Sequence, residues 1–309
     1  MSKIGRKIFY IWQTNIMESQ MNSKSEMLKR LLKLFPVKAL KDNFPTDLKT
    51  QDEIISEIAI PQNSAPIFNF VGENFSLTKQ HIHIYNHNMG DNYKNIDATF
   101  LPHKPYKNAK SKTEISFFYF YDLPFSVYIT DPFEKTEIKF YWPFKVTLDK
   151  KHLYIQFVIL EKNINSYFPD DRKVVFSEKS IEEEKIVEGI VNHLNVKNRI
   201  TICDLNKGIK KMWDQDLVDS KYVKYKKSKS TTTEAMDETY TVKKQYPLIY
   251  KELINAPLNK TIFQFIDDAN DEYCEHFSID PSEGKISIPT FPKNVIHIDN
   301  VVRKIIQLN

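Results

Sequence analysis

The chain has 309 residues, of which 41% are hydrophobic and 13% aromatic, and this is enough apolar material for the packed core of one or two domains. Its formal net charge is only +4, and its two cysteines lie far apart, so we expect no disulfide framework and predict a reducing, cytoplasmic location. No apolar run approaches the roughly 20 residues that span a bilayer, so neither export nor membrane insertion is expected.

The first predicted element is a helix from about Lys24 to Phe35. Ser23 and Glu26 form a capping-box pattern, and apolar residues then recur at helical spacing until Pro36. Charged residues such as Arg30 fall between the apolar positions. The pattern therefore predicts an amphipathic helix with its charged side in solvent.

Residues from about 67 to 160 contain short aromatic and β-branched runs that are typical of strands. Turn residues separate the later runs, as at 122–124 and 131–132, and such short connections favour antiparallel pairing. We expect a meander, a sandwich or a small barrel. The predicted strands are His81 to Tyr85, Ile115 to Tyr121, Phe125 to Thr130, Thr136 to Trp142 and His152 to Leu160.

The polar stretch from 163 to 180 is the predicted boundary between two parts of an α+β protein. The first part, residues 1–165, holds the N-terminal helix and the β-rich core, and the second, residues 180–309, is a further α+β domain. A second capping box begins at Ser180. Further helices are expected near Asp204, after Thr231, after Pro247 and from Val301 to Leu308, with strands at Arg199 to Ile202, Thr261 to Ile266 and Lys285 to Ile288.

Missing motifs exclude several classes of enzyme. The chain has six glycines, and no two are spaced to form a phosphate-cradling loop of the Walker or dinucleotide type. The sequence also lacks the serine nucleophile elbow, the His-Glu-x-x-His zinc motif and paired Cys-x-x-Cys motifs. We therefore expect no cofactor of those classes and lean towards a protein that is not an enzyme.

The lysine-rich segment 221–229 is the main positive signal. It holds five lysines and two tyrosines without an acid, and its surroundings from Lys207 to Lys244 carry ten lysines against six acids, which equals the net charge of the whole chain. Lysine suits phosphate oxygens, whereas base edges are read chiefly by Arg, Asn and Gln. We expect contacts to a nucleic-acid backbone, DNA or RNA, with tyrosines available for stacking. The predicted binding residues are Lys221, Tyr222, Lys224, Tyr225, Lys226, Lys227, Lys229 and Thr231.

Thr231 and Glu234 form a third capping-box pattern directly after the lysines. A helix that begins here would point its free N–H groups and positive dipole end towards the lysine-rich segment. Such a helix end would add an anion site. A solvated strand and loop, with the lysines paired to neighbouring acids, is the alternative.

A metal-dependent nuclease is the enzymatic alternative. Asp122 followed by Glu137-Ile-Lys139 resembles the acid, spacer, acid-x-lysine signature of the PD-(D/E)xK nuclease superfamily, although a proline follows Asp122 rather than preceding it. The resemblance covers fewer than about twenty residues. It implies Mg²⁺ held by the two carboxylates and a water polarised by the lysine.

His81 and His83 alternate along a predicted strand and point the same way, so they are candidate zinc ligands that His87 or His103 would complete. Satisfied surface or core histidines are the alternative.

The sequence thus favours a non-catalytic nucleic-acid-binding protein, with a role as the recognition subunit of a larger complex left open. Besides the nuclease, a protein-interaction subunit that uses the lysines against an acidic protein surface is a further alternative.

Overall fold

The computed structural model describes residues 23–59, 64–96, 104–129, 134–160, 174–195, 200–227, 230–235, 242–266 and 272–309. Within these ranges the chain forms nine α-helices and twelve β-strands, which confirms the α+β class. The helices are α1 (Lys24–Leu32), α2 (Val37–Asn43), α3 (Gln51–Ile58), α4 (Ser64–Glu73), α5 (Glu183–Asn195), α6 (Asn206–Asp214), α7 (Val242–Gln245), α8 (Pro247–Asn255) and α9 (His297–Leu308).

The twelve described strands belong to one antiparallel sheet with the order β2–β3–β4–β5–β1–β12–β11–β10–β8–β9, to which β6 is added beside β3 and β7 beside β1. Strands β2 to β5 are neighbours in chain order, so of the expected meander, sandwich or small barrel the described strands form a meander. The strands are β1 (Gln80–Asn86), β2 (Lys107–Lys110), β3 (Glu114–Ile129), β4 (Glu134–Asp149), β5 (His152–Val158), β6 (Val174–Lys179), β7 (Thr201–Ile202), β8 (Val218–Lys227), β9 (Ser230–Ala235), β10 (Leu258–Phe265), β11 (His276–Asp280) and β12 (Lys285–Ile288).

The turn predicted at 122–124 is wrong, because β3 runs unbroken through these residues. Pro124 pairs with Lys139 of β4 and cannot donate to a ladder. On its other edge β3 pairs with β2 only as far as Phe118 and with β6 only from Phe125 onwards. The proline therefore lies where that edge has no described strand partner, the position at which a strand tolerates it.

The helix predicted after Thr231 is also wrong. Residues 230–235 form β9, which pairs with β8 from Lys227↔Ser230 to Tyr222↔Ala235. The capping-box pattern at Thr231 and Glu234 competes with a run of three β-branched threonines, which suits a strand. Pairing with β8 decides between them, so the expected helix end and its anion site are not formed here.

Helix α1 confirms the first prediction, and Ser23 Oγ accepts the backbone N–H of Glu26, which is one of the two hydrogen bonds of the expected capping box. The expectation for Arg30 is wrong. Its side chain is buried, donates from Nη1 to the Lys139 carbonyl at 2.9 Å and lies over the Phe140 ring. Burial lowers its pKa to about 10. The arginine thus joins α1 to β4 instead of facing solvent.

Most other predicted elements are confirmed with shifted bounds, among them α5, α6, α8, α9, β10 and β12. The helices α2, α3 and α4 were not predicted. Strand β6 lies inside the segment expected to be a boundary, and the sheet continues from β5 through β1 to β12. The division into residues 1–165 and 180–309 stays a prediction.

Strand β1 separates two hydrophobic clusters. Its pairs with β5 and β12 place it in the middle of the sheet. Ile82 and Ile84 belong to the cluster that includes α6, α8 and α9, while Tyr85 packs against the cluster that includes α1 and α5. Because alternate residues of a strand face opposite ways, the two clusters cover opposite faces of β1.

Gly284 lies where β12 approaches β1 and is the glycine that this junction most requires. Its φ is +60°, and a Cβ there would meet the carbonyl oxygens of Ile84 at 2.5 Å and Cys203 at 2.9 Å. Its own carbonyl accepts the Ile84 N–H at 2.8 Å. Both neighbouring atoms are backbone, so neither can move aside without breaking the sheet.

We predict that Gly284→Ala lowers the free energy of unfolding by about 3 kcal/mol, because it combines a left-handed conformation with a backbone clash. Gly189→Ala is the matched control. Gly189 lies on α5, and a Cβ added there would meet no neighbouring atom of the described residues within 4 Å, so that variant should be neutral or stabilised by up to about 1 kcal/mol. Urea unfolding measures both, and equal effects would contradict the prediction.

Candidate functional site

Most of the predicted nucleic-acid-binding residues lie in one hairpin at an end of the sheet, which we call the lysine hairpin (β8 and β9). Strand β8 contains Lys221, Tyr222, Lys224, Tyr225, Lys226 and Lys227, and β9 contains Thr231. Lys224 is partly exposed and pairs with Thr233. Strand β9 ends the path of described strands, so the hairpin forms a sheet edge. Lys229 lies outside the described residues.

The nuclease candidates Asp122, Glu137 and Lys139 are exposed on β3 and β4. The register pairs Asp122 with Tyr141 and Glu137 with Ser126, which places all three candidates on one sheet face. It also separates the acids by four residues along the strands, or about 13 Å at roughly 3.3 Å per residue. Because Mg²⁺ takes its oxygen ligands at about 2 Å, the structure does not bring these carboxylates together around one ion.

The two candidate zinc ligands on β1 converge on a carboxylate. His81 Nδ1 donates to Glu183 Oε2 at 2.8 Å, and His83 Nε2 donates to Glu183 Oε1 at 2.5 Å. Lys285 Nζ lies 3.2 Å from Glu183 Oε1 and 3.3 Å from Glu184 Oε1. Each carboxylate oxygen of Glu183 thus accepts a hydrogen bond from a histidine ring. Together with the lysine, these contacts join α5 to β1 and β12.

The carboxylate of Glu183 is the centre of this group. Burial alone would raise its pKa, but the hydrogen bonds and charges of His81 and His83 outweigh burial and hold the pKa well below its usual range. Glu183 therefore stays ionised and acts as the shared acceptor.

His87, one of the two expected third zinc ligands, makes other hydrogen bonds. Its Nε2 donates to the Asp149 carbonyl at 2.9 Å and its Nδ1 accepts the Met89 N–H at 3.3 Å, which fixes a neutral tautomer. Burial lowers its pKa. His103 lies outside the described residues, and within the described part of the chain no group of three or more His, Cys, Asp or Glu side chains is arranged to hold a metal ion.

Both cysteines are buried and free. Burial raises the pKa of Cys203 to about 11 and that of Cys274 to about 12. Thiolates are the reactive form of cysteine, so neither side chain is suited to nucleophilic chemistry.

A second candidate site lies between α9 and the sheet, where β4 turns into β5; we call it the helix cleft. Its inner cavity has a volume of about 340 Å³ and its outer cavity about 470 Å³. The two cavities share Thr113, Asp149, Tyr154 and Arg303 and so adjoin each other. The sequence did not point to this place.

The outer cavity is positively charged. Its lining has five cations and two carboxylates, which gives 5 − 2 = +3 with histidine neutral. Of these five described cations, only Lys150 lies at ion-pair distance from one of the acids, 4.0 Å from Asp91, and both side chains are exposed. The cations are Lys94, Lys112, Lys150, Lys151 and Arg303.

Asp149, the other acid of the outer cavity, holds the turn together. Its Oδ1 accepts the backbone N–H groups of Lys151 and His152, both at 2.7 Å, and its Oδ2 accepts the Tyr154 hydroxyl at 3.0 Å. Burial would raise the pKa of Asp149, but these backbone bonds and the His152 side chain lower it to about 2. Burial and the Asp149 charge raise the pKa of Tyr154, which remains a donor. The carboxylate of Asp149 is therefore engaged by hydrogen bonds within the turn.

One signal in the sequence could have indicated the cleft. Polar residues occupy alternate positions at Lys145, Thr147 and Asp149, between apolar residues that lie beyond the predicted strand end at Trp142. Alternation of this kind predicts a polar sheet face. No local sequence pattern indicates that α9 lies above that face.

Comparison of the chain with family models, with curated proteins and with solved structures found no match. None of the helices in the described ranges combines the length and apolar character needed to cross a membrane. The functional argument therefore depends on the residues and geometry given above.

We predict that Glu183→Gln lowers the free energy of unfolding at pH 7 by about 2 kcal/mol, because an amide has one acceptor oxygen and cannot accept hydrogen bonds at both of its terminal atoms. The folded-state pKa of Glu183 lies below its ordinary value of 4.5, so its stabilisation is fully present above that pH and is lost as the pH falls further. The difference between wild type and variant should therefore shrink when urea unfolding is repeated at lower pH.

Glu188→Gln is the control for Glu183→Gln, because Glu188 is an exposed residue of the same helix. It should change stability by less than about 0.5 kcal/mol at either pH. A constant difference between Glu183→Gln and wild type from about pH 7 to about pH 3 would contradict the role given to the carboxylate.

Proposed function

We propose that this protein binds nucleic acid through the phosphate backbone and does not act on it chemically. The outer cavity of the helix cleft is the main contact surface in this proposal, and the lysine hairpin is a second one. A role as the recognition subunit of a larger complex is compatible with both surfaces.

The charge of the outer cavity is the observation that carries the proposal. Lys112, Lys151 and Arg303 line it without a hydrogen bond or ion pair from their side chains among the described residues. Cations that are not paired with acids are available to bind phosphates. When they bind nucleic acid, whose phosphates are closely spaced, condensed counterions are released and this release favours binding. Electrostatic focusing in a concave surface strengthens this attraction.

The composition of both surfaces favours backbone contacts over base reading. Four of the five cations in the outer cavity are lysines, which bind phosphate as point charges. Arg303 is the one arginine among the described residues of its lining. We therefore expect little discrimination between sequences.

The spacing of the two surfaces sets the length of ligand that touches both. In the sheet order, β5 and β8 are five strand positions apart, which is about 24 Å at ~4.8 Å per strand. At the ~3.4 Å rise of a base-stacked strand this corresponds to roughly seven nucleotides. A shorter strand should contact one surface at a time.

The nuclease alternative has weaker support, because the strand register keeps Asp122 and Glu137 apart. Two carboxylates near one point are what Mg²⁺ would need from the protein, and these two do not supply them. An acidic protein is a competing ligand for the same cations, and the experiment below separates it from nucleic acid.

We predict that a cleft variant, Lys112→Glu with Lys150→Glu and Lys151→Glu, loses most of its affinity for labelled single-stranded DNA or RNA. Fluorescence anisotropy over a salt series should give a linear fall of log K with log salt for wild type. Removing three contacts should reduce the slope by about 2, at roughly 0.7 per phosphate contact of a single strand.

The matched control carries Lys38→Glu, Lys49→Glu and Lys293→Glu, three exposed lysines outside both surfaces. It has the same net charge as the cleft variant and should keep most of the wild-type affinity. A hairpin variant, Lys224→Glu with Lys226→Glu and Lys227→Glu, tests the second surface separately. Equal losses in control and cleft variants, or tighter binding of poly-L-glutamate than of nucleic acid, would contradict the proposal.

A further inference from the structure

The inner cavity of the helix cleft has polar side chains in the middle of a sheet face. The register sets Lys145 opposite Gln156 and Thr147 opposite Tyr154, so the four side chains form a block on one face of β4 and β5. Asp299 and Arg303 of α9 line the other side. A polar block at this depth is costly unless its groups are satisfied.

Thr147 is the least satisfied of these residues. It is only 7% exposed, it lines the cavity, and its hydroxyl has no hydrogen-bond partner in the part of the chain that the structure describes. An unpaired buried hydroxyl costs roughly 1 to 3 kcal/mol. A ligand in the cavity would supply the missing partner.

Apart from Asp149, which is held by the turn, the charged side chains of the inner cavity are likewise unpaired. Among the described residues, Lys145 and Arg303 make no ion pair, and neither do Glu114 and Asp299. Asp299 and Arg303 even have the i, i+4 spacing that usually joins an acid to a base on a helix. Separate cations and carboxylates around one space suit a ligand that has both an anionic group and hydrogen-bond donors.

We propose that the inner cavity binds a nucleoside monophosphate, with Lys145 and Arg303 at the phosphate, Glu114 and Asp299 at the ribose hydroxyls, and Gln156 at the base. A volume of about 340 Å³ is in the range of small-molecule sites. Carboxylates bind ribose hydroxyls in other nucleotide sites, and glutamine amides bind base edges. Ile82, Val302 and the Tyr154 ring supply apolar surface for the base.

The choice of an anionic ligand over a zwitterion such as an amino acid depends on the entrance, because the inner lining itself has two cations and three carboxylates, 2 − 3 = −1. The entrance through the outer cavity has a net charge of +3, which attracts a phosphate and gives no advantage to a neutral ligand. The inference does not require the backbone binding proposed above, because a free nucleotide has the same groups as the phosphorylated end of a strand.

Isothermal titration of the full chain with adenosine 5′-monophosphate and uridine 5′-monophosphate tests the inference. At least one should bind, and adenosine and inorganic phosphate should each bind about tenfold or more weakly than the nucleotide. A 5′-phosphorylated trinucleotide and its 5′-hydroxyl counterpart form a second pair of ligands. Preference for the phosphorylated trinucleotide, with no binding of free nucleotide, identifies the source as a strand end.

Three variants connect binding to the cavity. Lys145→Met should weaken nucleotide binding about tenfold, and Lys145→Arg should restore part of it. Thr147→Val should weaken binding about threefold or more while leaving thermal stability equal or higher, because it removes an unsatisfied hydroxyl. Lys38→Met, at an exposed site outside the cleft, should leave binding unchanged.

The inference is overturned if neither free nucleotide nor phosphorylated trinucleotide binds at millimolar concentration. It is also overturned if Lys145→Met and Thr147→Val bind like wild type. Failure of the backbone proposal is a separate result, seen when the triple cleft variant keeps its affinity for long strands.

Discussion

The sheet depends on the backbone hydrogen bonds of one short strand, β1. It pairs with β5 on one side and with β12 and β7 on the other, and through these pairs it joins the meander to the C-terminal strands. Gly284 allows the closest part of this junction, since the carbonyls of Ile84 and Cys203 leave no room for a side chain there. The opposite faces of β1 then bury two separate clusters. A change at this strand therefore affects both hydrophobic clusters.

The position of α9 follows from β1. The second cluster includes Ile82 and Ile84 together with Val301, Val302 and Ile305 of the last helix, so the helix lies against the sheet there. Its edge reaches the polar face of β4 and β5 without covering it completely. The helix cleft is the space that remains, and several elements contribute its cations and acids. The packing that builds the fold therefore also forms the site.

Local patterns predicted much of the fold. Strand β12 and the last helix follow from alternation and periodicity, and Ser23 with Glu26 indicates the start of α1. The same kind of signal marks α3, where Thr50 and Glu53 form a complete capping box, although that helix was not predicted. These elements are predictable because their signals lie within a few residues of each other.

Other features depend on distant partners and could not be predicted locally. At Thr231 the capping-box pattern is present in the sequence, but pairing with β8 makes the segment a strand. Arg30 has the spacing of a surface residue, yet β4 covers it. Lys145 and Arg303 share a cavity although they lie far apart in the chain. The same limit explains why composition reveals the lysine-rich segment and does not reveal the helix cleft.

Hydrogen–deuterium exchange of the full chain, with and without a single strand of about ten nucleotides, tests the central claim most directly. We predict slower exchange in the turn at 149–152 and in α9, with a second protected region in the lysine hairpin. Protection restricted to α1–α4, or no protection at a concentration that saturates binding, would contradict the assignment of the helix cleft as the binding site.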